Sequence, residues 1–318
     1  MMQDVTPVDS LVSAEWLRNH LDDPNIRILE ARGYVHHLDD GAGNMVVTYA
    51  GAREEHDTAH IPGAIFVDWT SDITDPDDPV PVQIAPPERF ATWASRAGIG
   101  DATHVVIYDH TGGTIATRVW WDLLYYGHDR VSVLNGGWKQ WAAARMPTTS
   151  ETTNIAPATF TPRARHSMRK TVDEVAAISG ARSAQLIDAR APDQYAGAVV
   201  RSGRAGHIPG AINVPSTTLF DPATGIWKSD EELAAILRDA GVSGEQPAVA
   251  YCGGGVSATS VLFAMHRTGH RTWANYDGSW NEWGPRTDLP TESNGIETGE
   301  NRRDAETAET AEKEKGMG

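Results

Sequence analysis

The chain contains one cysteine, Cys252, and its sequence context suits a reactive thiol. The apolar run 247–251 precedes it, and Gly253, Gly254 and Gly255 follow. Consecutive glycines let the backbone curl so that several N–H groups point at one centre, and a helix starting behind them adds its positive end. Such a loop stabilises negative charge on sulfur. The sequence therefore predicts a catalytic cysteine rather than a small buried hydrophobic residue.

Several reaction classes use a cysteine in such a loop. A phosphatase needs an arginine that closes the loop around phosphate, but the next arginine after Cys252 is Arg267, far along the predicted helix. An acyl-transfer triad stays open, because its partners can be distant in sequence. Bare N–H groups best suit a sulfur that itself becomes the anion, a cysteine persulfide. The expected persulfide-stabilising loop comprises Gly253, Gly254, Gly255, Val256 and Ser257.

The sequence also contains a long internal repeat. The hexapeptide at residues 60–65, His-Ile-Pro-Gly-Ala-Ile, recurs unchanged at residues 207–212. Other matches keep the same order, and they pair residues 29–32 with 187–190, 106–109 with 249–252, and 134–138 with 276–280. This spacing predicts duplication of a whole domain rather than a short repeat array. Asp109 stands at the position of Cys252, so only the second copy is expected to be catalytic.

Each copy alternates strand-like and helix-like segments. Short apolar runs predict strands at residues 26–31, 104–108, 185–189 and 247–251. Helical periodicity with a following glycine predicts helices at residues 114–126, 231–240 and 257–268. This alternation predicts an α/β protein of two tandem domains, each a mostly parallel sheet with helices on both faces.

Composition divides the chain into four parts. We expect a non-catalytic domain at residues 1–145 and a catalytic domain at residues 172–290. Residues 146–171, rich in Thr, Pro and Ala, are expected to form an extended linker. Residues 291–318 carry little apolar surface to offset ordering entropy, so they are expected to form a disordered acidic tail.

The charge balance excludes several kinds of partner. The 318 residues carry a formal net charge of −16, which disfavours nucleic acids and anionic membrane surfaces. No apolar run reaches the roughly 20 residues that span a bilayer, and the N-terminal residues lack the pattern of a secretory signal. We therefore expect a cytoplasmic protein. The single cysteine excludes an intramolecular disulfide and a cysteine-based metal cluster. No dissociable cofactor or structural metal is expected.

Together these motifs resemble the tandem-domain rhodanese sulfurtransferases. The resemblance rests on the repeated His-Ile-Pro-Gly motif, the Cys-Gly-Gly-Gly-Val-Ser loop, Arg-Val-Trp-Trp at residues 118–121 and Tyr-Asp-Gly-Ser-Trp at residues 276–280. It covers about residues 11–290 and implies two rhodanese-like domains. It also implies double displacement, in which a donor passes its sulfane sulfur to Cys252 and the persulfide gives it to cyanide or a thiol.

The resemblance leaves the sulfur donor open between 3-mercaptopyruvate and thiosulfate. Thiosulfate-preferring members often carry basic residues where this chain has Gly253 and Gly254, so we slightly favour 3-mercaptopyruvate. Yet the Ser-His-Asp relay of the mercaptopyruvate enzymes is absent, since Gly254 and Thr70 replace its serine and aspartate. One of their two carboxylate-binding arginines aligns with Gln194.

The other donor-binding arginine falls near Arg201, although loop length makes Arg204 an equal candidate, so both are expected to bind the anionic donor. Asp188, at a strand end near the active loop, is expected to support that loop. A different class of function also remains open, namely a sulfur carrier or redox sensor that uses Cys252 with little turnover.

Overall fold

A computed structural model of the chain describes residues 8–39 and 45–293. In its first half, five parallel strands form a sheet in the order β1-β7-β6-β2-β5, and β3 and β4 form a separate antiparallel hairpin. These strands are β1 (Leu11–Val12), β2 (Ile26–Glu30), β3 (Gly33–Asp39), β4 (Met45–Gly51), β5 (Ala64–Phe66), β6 (His104–Tyr108) and β7 (Val131–Leu134). The helices of this half are α1 (Ala14–Arg18), α2 (Arg53–Thr58), α3 (Pro87–Arg96), α4 (Thr114–Tyr125) and α5 (Gly137–Ala143).

Alternation along β6 explains why this sheet has helices on both faces. Val106 and Tyr108 pack on one face with Trp141 of α5. Val105 and Ile107 point to the other face and belong to a larger core that contains residues of α3 and α4. Because both faces are covered, β6 is apolar along most of its length.

The second half of the chain repeats this architecture. Its five parallel strands lie in the order β10-β9-β11-β12-β8 within the described residues. The strands are β8 (Arg169–Lys170), β9 (Gln185–Asp188), β10 (Ile212–Asn213), β11 (Ala248–Tyr251) and β12 (Trp273–Tyr276). The helices are α6 (Val172–Ala181), α7 (Pro192–Ala196), α8 (Asp230–Asp239), α9 (Ala258–Arg267) and α10 (Ser279–Trp283). The predicted α/β class with mostly parallel sheets is confirmed.

The two domains pack together through α4 and α9, the helices that follow the Asp109 and Cys252 loops. The hydroxyl groups of Thr117 and Thr259 lie 3.0 Å apart across this contact. Trp120 meets Phe263 edge to face, with ring centroids 5.0 Å apart. One core cluster therefore runs through both domains.

The structure differs from the sequence expectations at three places. The segment expected as a linker ends in β8, because Arg169 and Lys170 pair with β12 of the second sheet. Glu292, in the segment expected as a tail, exchanges backbone hydrogen bonds with His207, while residues 294–318 lie outside the described part. The β3–β4 hairpin was not expected. No helix of the described residues is long and apolar enough to cross a membrane.

His104, at the start of β6, makes folding sensitive to pH. Its Nε2 lies 2.8 Å from the Ser132 hydroxyl, and burial lowers the pKa of His104 from 6.5 to about 4. The unfolded chain therefore binds a proton at a pH where the folded chain does not. The stability contributed by neutral His104 is present above pH 6.5 and is lost as the pH falls towards 4.

We predict that His104→Gln loses less stability than the parent between pH 7 and pH 4.5, because glutamine does not titrate. Urea unfolding of both proteins at each pH measures this difference. If the free energy of unfolding falls equally in the two proteins, His104 is not responsible for the pH dependence.

Candidate active site

Cys252 lies at the carboxyl end of β11, at the base of a cavity of about 560 Å³. Only 2% of the residue is exposed, and the cavity is its route to solvent. Its backbone N–H donates to the Ser279 hydroxyl at 3.0 Å, and its carbonyl accepts the N–H of Trp280 at 3.0 Å. These bonds fix the backbone of Cys252 against the start of α10.

The loop after Cys252 leaves backbone N–H groups available to a ligand. Among the described residues, the N–H groups of residues 253–258 have no protein acceptor. The carbonyl of Gly255 accepts from Arg118 Nη1 at 3.1 Å and from Asn275 Nδ2 at 3.0 Å. With its carbonyl held on one side, the loop presents N–H groups and the N-terminus of α9 on the other, which suits an anion.

The first domain shows how such a loop holds an anion. The Asp109 carboxylate occupies it and accepts hydrogen bonds from four backbone N–H groups at 2.7–2.9 Å. The donors are Thr111, Gly113, Ile115 and Ala116. The loop in the first copy is thus filled permanently by its own side chain.

The repeat transfers this pattern to the second domain. The matching positions there are Gly254, Val256, Ala258 and Thr259. The N–H of Thr259 already donates to the Val256 carbonyl at 3.1 Å, which leaves the first three for an anion on Cys252. Ala258 was not among the expected loop residues, although the helix start behind the glycines was the signal for it.

Arg118 of α4 carries the loop contact across the domain boundary. Its guanidinium lies 2.5 Å from Asp277 and 3.1 Å from Asp122, and all three residues are buried. Burial raises the pKa of Asp122 to about 7, although the charge of Arg118 opposes that rise. The sequence motif at residues 118–121 pointed to the family, but its contact with the catalytic loop needed the structure.

Asp188 supports the site through a neighbouring arginine. It is fully buried at the end of β9 and lies 2.6 Å from Nη2 of Arg190, which lines the cavity. The guanidinium of Arg190 also stacks over Trp280, 4.2 Å from the ring centroid. Burial lowers the pKa of Arg190, but the neighbouring Asp188 carboxylate raises it more, so the pKa of Arg190 is raised overall. A fixed positive charge therefore lies beside the cavity.

The two arginines expected to bind the donor differ in their surroundings. Both Arg201 and Arg204 line the cavity, as does Gln194. The guanidinium of Arg204 donates to three backbone carbonyls at 2.6–3.0 Å. These carbonyls belong to Gly284, Arg286 and Leu289. Arg204 therefore tethers the segment after α10.

Two features of the site were missed from the sequence. Ser279, which accepts the Cys252 N–H, adopts a positive φ of 53° and donates to the Tyr276 carbonyl at 2.7 Å. The β3–β4 hairpin of the first domain forms a cavity wall with Tyr34, Val35, Val47 and Tyr49. The available signal for the hairpin was Gly41 and Gly43 between two segments that contain β-branched and aromatic residues.

Comparisons with known proteins agree with this architecture. The rhodanese-like domain model matches the chain twice, at residues 13–144 and 171–285. The chain is 35% identical over 284 residues to the 3-mercaptopyruvate sulfurtransferase of Escherichia coli (strain K12), covering 88% of this chain and 97% of the relative. It is 35% identical over 284 residues to the thiosulfate sulfurtransferase of Rattus norvegicus, covering 86% and 91% respectively.

A solved structure shows the same similarity in three dimensions. The crystal structure of SseA, a 3-mercaptopyruvate sulfotransferase from Escherichia coli, matches with a TM-score of 0.74 and 33% sequence identity. The match covers 86% of this chain and 99% of that chain.

Two glycine positions of the loop, 255 and 253, provide a matched test. Gly255 has φ +75°, and an added Cβ would lie 2.4 Å from the Asp277 carbonyl oxygen. We predict that Gly255→Ala lowers stability by about 1–3 kcal/mol and lowers activity at least tenfold, because the loop must distort. Gly253→Ala is the control, since nothing lies within 4 Å of its added Cβ. Thermal unfolding and sulfur-transfer rates measure both effects, and equal behaviour of the two variants would contradict the prediction.

Proposed function

The chain belongs to the rhodanese-like family and is a sulfurtransferase, and on that premise we propose that Cys252 carries the transferred sulfur as a persulfide. The observation that carries this proposal is the position of Cys252. The only thiol of the chain lies at the base of a cavity, before N–H groups whose counterparts in the first domain hold a carboxylate. The domain limits given above, with catalysis in residues 172–290, follow from the same argument.

In the proposed first step, the Cys252 thiolate attacks the transferable sulfur of the donor, which is the thiol sulfur of 3-mercaptopyruvate or the outer sulfur of thiosulfate. A new bond forms between the cysteine Sγ and that sulfur. With 3-mercaptopyruvate, the carbon–sulfur bond breaks and its electron pair stays on carbon, which then takes a proton to give pyruvate. With thiosulfate, the sulfur–sulfur bond breaks and its electron pair leaves with sulfite.

The persulfide anion then rests in the loop. Its charge resides on the terminal sulfur, and the N–H groups of residues 253–257, with that of Ala258, are its proposed donors, since Gly254, Val256 and Ala258 match three of the residues that hold Asp109. Charge-assisted hydrogen bonds of this kind are stronger than neutral ones. A nucleophilic acceptor, cyanide or a thiol, attacks the terminal sulfur, and the electron pair of the broken bond returns to Cys252. The cycle uses no dissociable cofactor.

Positive charge beside the cavity supports an anionic donor. Arg190 is held by Asp188, and Arg201 lines the same cavity, so both contribute to binding the donor carboxylate or sulfonate group. Gly253 and Gly254 add no charge, which favours 3-mercaptopyruvate over thiosulfate. The reactive single thiol suits a reducing compartment, and we propose the cytoplasm as the site of action.

The assignment of the nucleophile is tested by following thiocyanate from 3-mercaptopyruvate or thiosulfate plus cyanide. The parent is expected to form thiocyanate with at least one donor, and Cys252→Ser to form none, because the hydroxyl cannot carry sulfane sulfur. Mass spectrometry of the parent after donor addition should show one extra sulfur on Cys252. Activity in Cys252→Ser would contradict the assignment, and a stable persulfide without turnover would favour a carrier.

The two cavity arginines are predicted to behave differently. Arg201→Ala should raise the donor KM about tenfold or more, because it removes a positive charge from the cavity lining. Arg204→Ala should lower the melting temperature, because three backbone carbonyls lose their donor. Arg238→Ala, at an exposed position in α8, is the control for loss of charge alone. A raised donor KM in Arg204→Ala and an unchanged donor KM in Arg201→Ala would contradict the prediction and assign donor binding to Arg204.

A further inference from the structure

The β3–β4 hairpin belongs to the first domain but walls the cavity of the second. In the first copy 27 residues separate Arg32 from His60, whereas 16 residues separate Arg190 from His207 in the second. The hairpin is therefore extra chain that only the non-catalytic copy carries. It sits against α10, since the Tyr49 hydroxyl accepts a hydrogen bond from Asn281 Nδ2 at 3.1 Å. It also approaches the catalytic loop, since a Cβ added at Gly254 would lie 2.9 Å from the same hydroxyl.

One face of the hairpin contributes three residues to the cavity that Cys252 lines. Val35 pairs with Tyr49 in the antiparallel register, and Val47 lies two residues before Tyr49 on the same strand. Because side chains alternate along a strand, these three share a face, and all three line the cavity. Leu38 lies three residues after Val35 and therefore on the opposite face, which it shares with Tyr34; Tyr34 also lines the cavity, whereas Leu38 lies farther along the strand and is 54% exposed.

The rest of the cavity lining includes charged and polar side chains. Arg190, Arg201 and Gln194 are among them, and the proposed function assigns the positive charge of the two arginines to the small anionic donor. Such a donor fills only part of a cavity of about 560 Å³, a volume in the range that holds drug-sized ligands. On the hairpin, Val35 is 42% exposed, so apolar surface is available in the cavity that Cys252 also lines.

We propose that this hairpin face is a binding subsite for the sulfur acceptor, and that the acceptor is a low-molecular-weight organic thiol with an apolar or aromatic body. This inference rests on the proposed function. The body of the thiol packs on Val35, Val47 and the ring of Tyr49, with its sulfur directed at the Cys252 persulfide. Burial of its apolar surface supplies the binding energy that cyanide lacks.

The transfer step balances without an added oxidant or reductant. The acceptor thiolate attacks the terminal sulfur of the persulfide, and a bond forms between the two sulfurs. The bond between that terminal sulfur and Cys252 Sγ breaks, and its electron pair returns to Cys252 as thiolate. The product is the persulfide of the acceptor.

The test uses the full-length protein, loaded as the Cys252 persulfide by one equivalent of donor. Single-turnover discharge is followed by mass spectrometry with two monothiols of similar acidity, 2-mercaptoethanol and benzyl mercaptan. The parent is expected to discharge to benzyl mercaptan about tenfold faster than to 2-mercaptoethanol. Val35→Ser and Val47→Ser, on different strands, should each lower this ratio at least threefold. Leu38→Ser is the control, with an equal change on the opposite face, and should keep the parent ratio.

Each other outcome overturns the proposal. Equal rates for the two thiols in the parent would mean that the apolar face contributes nothing to acceptor binding. An unchanged ratio in both valine variants, or an equal fall in Leu38→Ser, would show that this face does not select the acceptor. A separate reaction with cyanide tests the proposed function alone. If the parent protein accepts sulfur and forms thiocyanate but shows no selectivity between the thiols, the proposed function stands and the acceptor subsite does not. A parent that never loads sulfur loses both.

Discussion

The convergence of backbone N–H groups on one point, directly after a strand, is the constraint on which the rest of the structure depends. Peptide N–H groups left without acceptors in a buried place are costly, so such a loop needs an anion. The first domain supplies one within its own chain, since the Asp109 carboxylate accepts four backbone N–H groups. The second domain has Cys252 at the same position, and Cys252 lines a cavity, so the anion in this loop can be a persulfide that gains and loses its outer sulfur. Duplication thus produced one closed loop and one reactive loop on the same scaffold.

The closed copy contributes to the reactive one through α4. Arg118 lies in α4, the helix that follows the Asp109 loop, and donates to the carbonyl of Gly255 in the second domain. Its guanidinium forms ion pairs with Asp122 and Asp277. A charge buried in this way is stable only while its partners remain in place. Loop geometry in the catalytic domain therefore depends on the packing between domains. The hairpin makes a second such contribution, because it encloses the cavity from the side of the first domain.

Much of this architecture could be predicted from the sequence, because its signals are local or repeated. The identical hexapeptides revealed the duplication, and the apolar runs revealed the parallel strands. The lone cysteine before three glycines indicated the nucleophile and its loop. Contacts between distant segments could not be predicted, since no local pattern encodes them. Arg201 and Arg204 look equivalent in the sequence, and nothing in the sequence indicates that Arg204 donates to three backbone carbonyls of a segment 80 or more residues away. Ser279 likewise acquires its role through folding, which brings its hydroxyl to the Cys252 amide.

The central claim is that loop amides hold the sulfur anion of Cys252 as they hold the carboxylate of Asp109. A crystal structure of the protein loaded with one equivalent of donor sulfur tests it most directly. The account predicts that the terminal sulfur lies within about 3.5 Å of the N–H groups of Gly254, Val256 and Ala258, superposing on the Asp109 carboxylate when the two domains are aligned. A persulfide that points away from these amides, with its terminal sulfur contacting only side chains, would contradict the account.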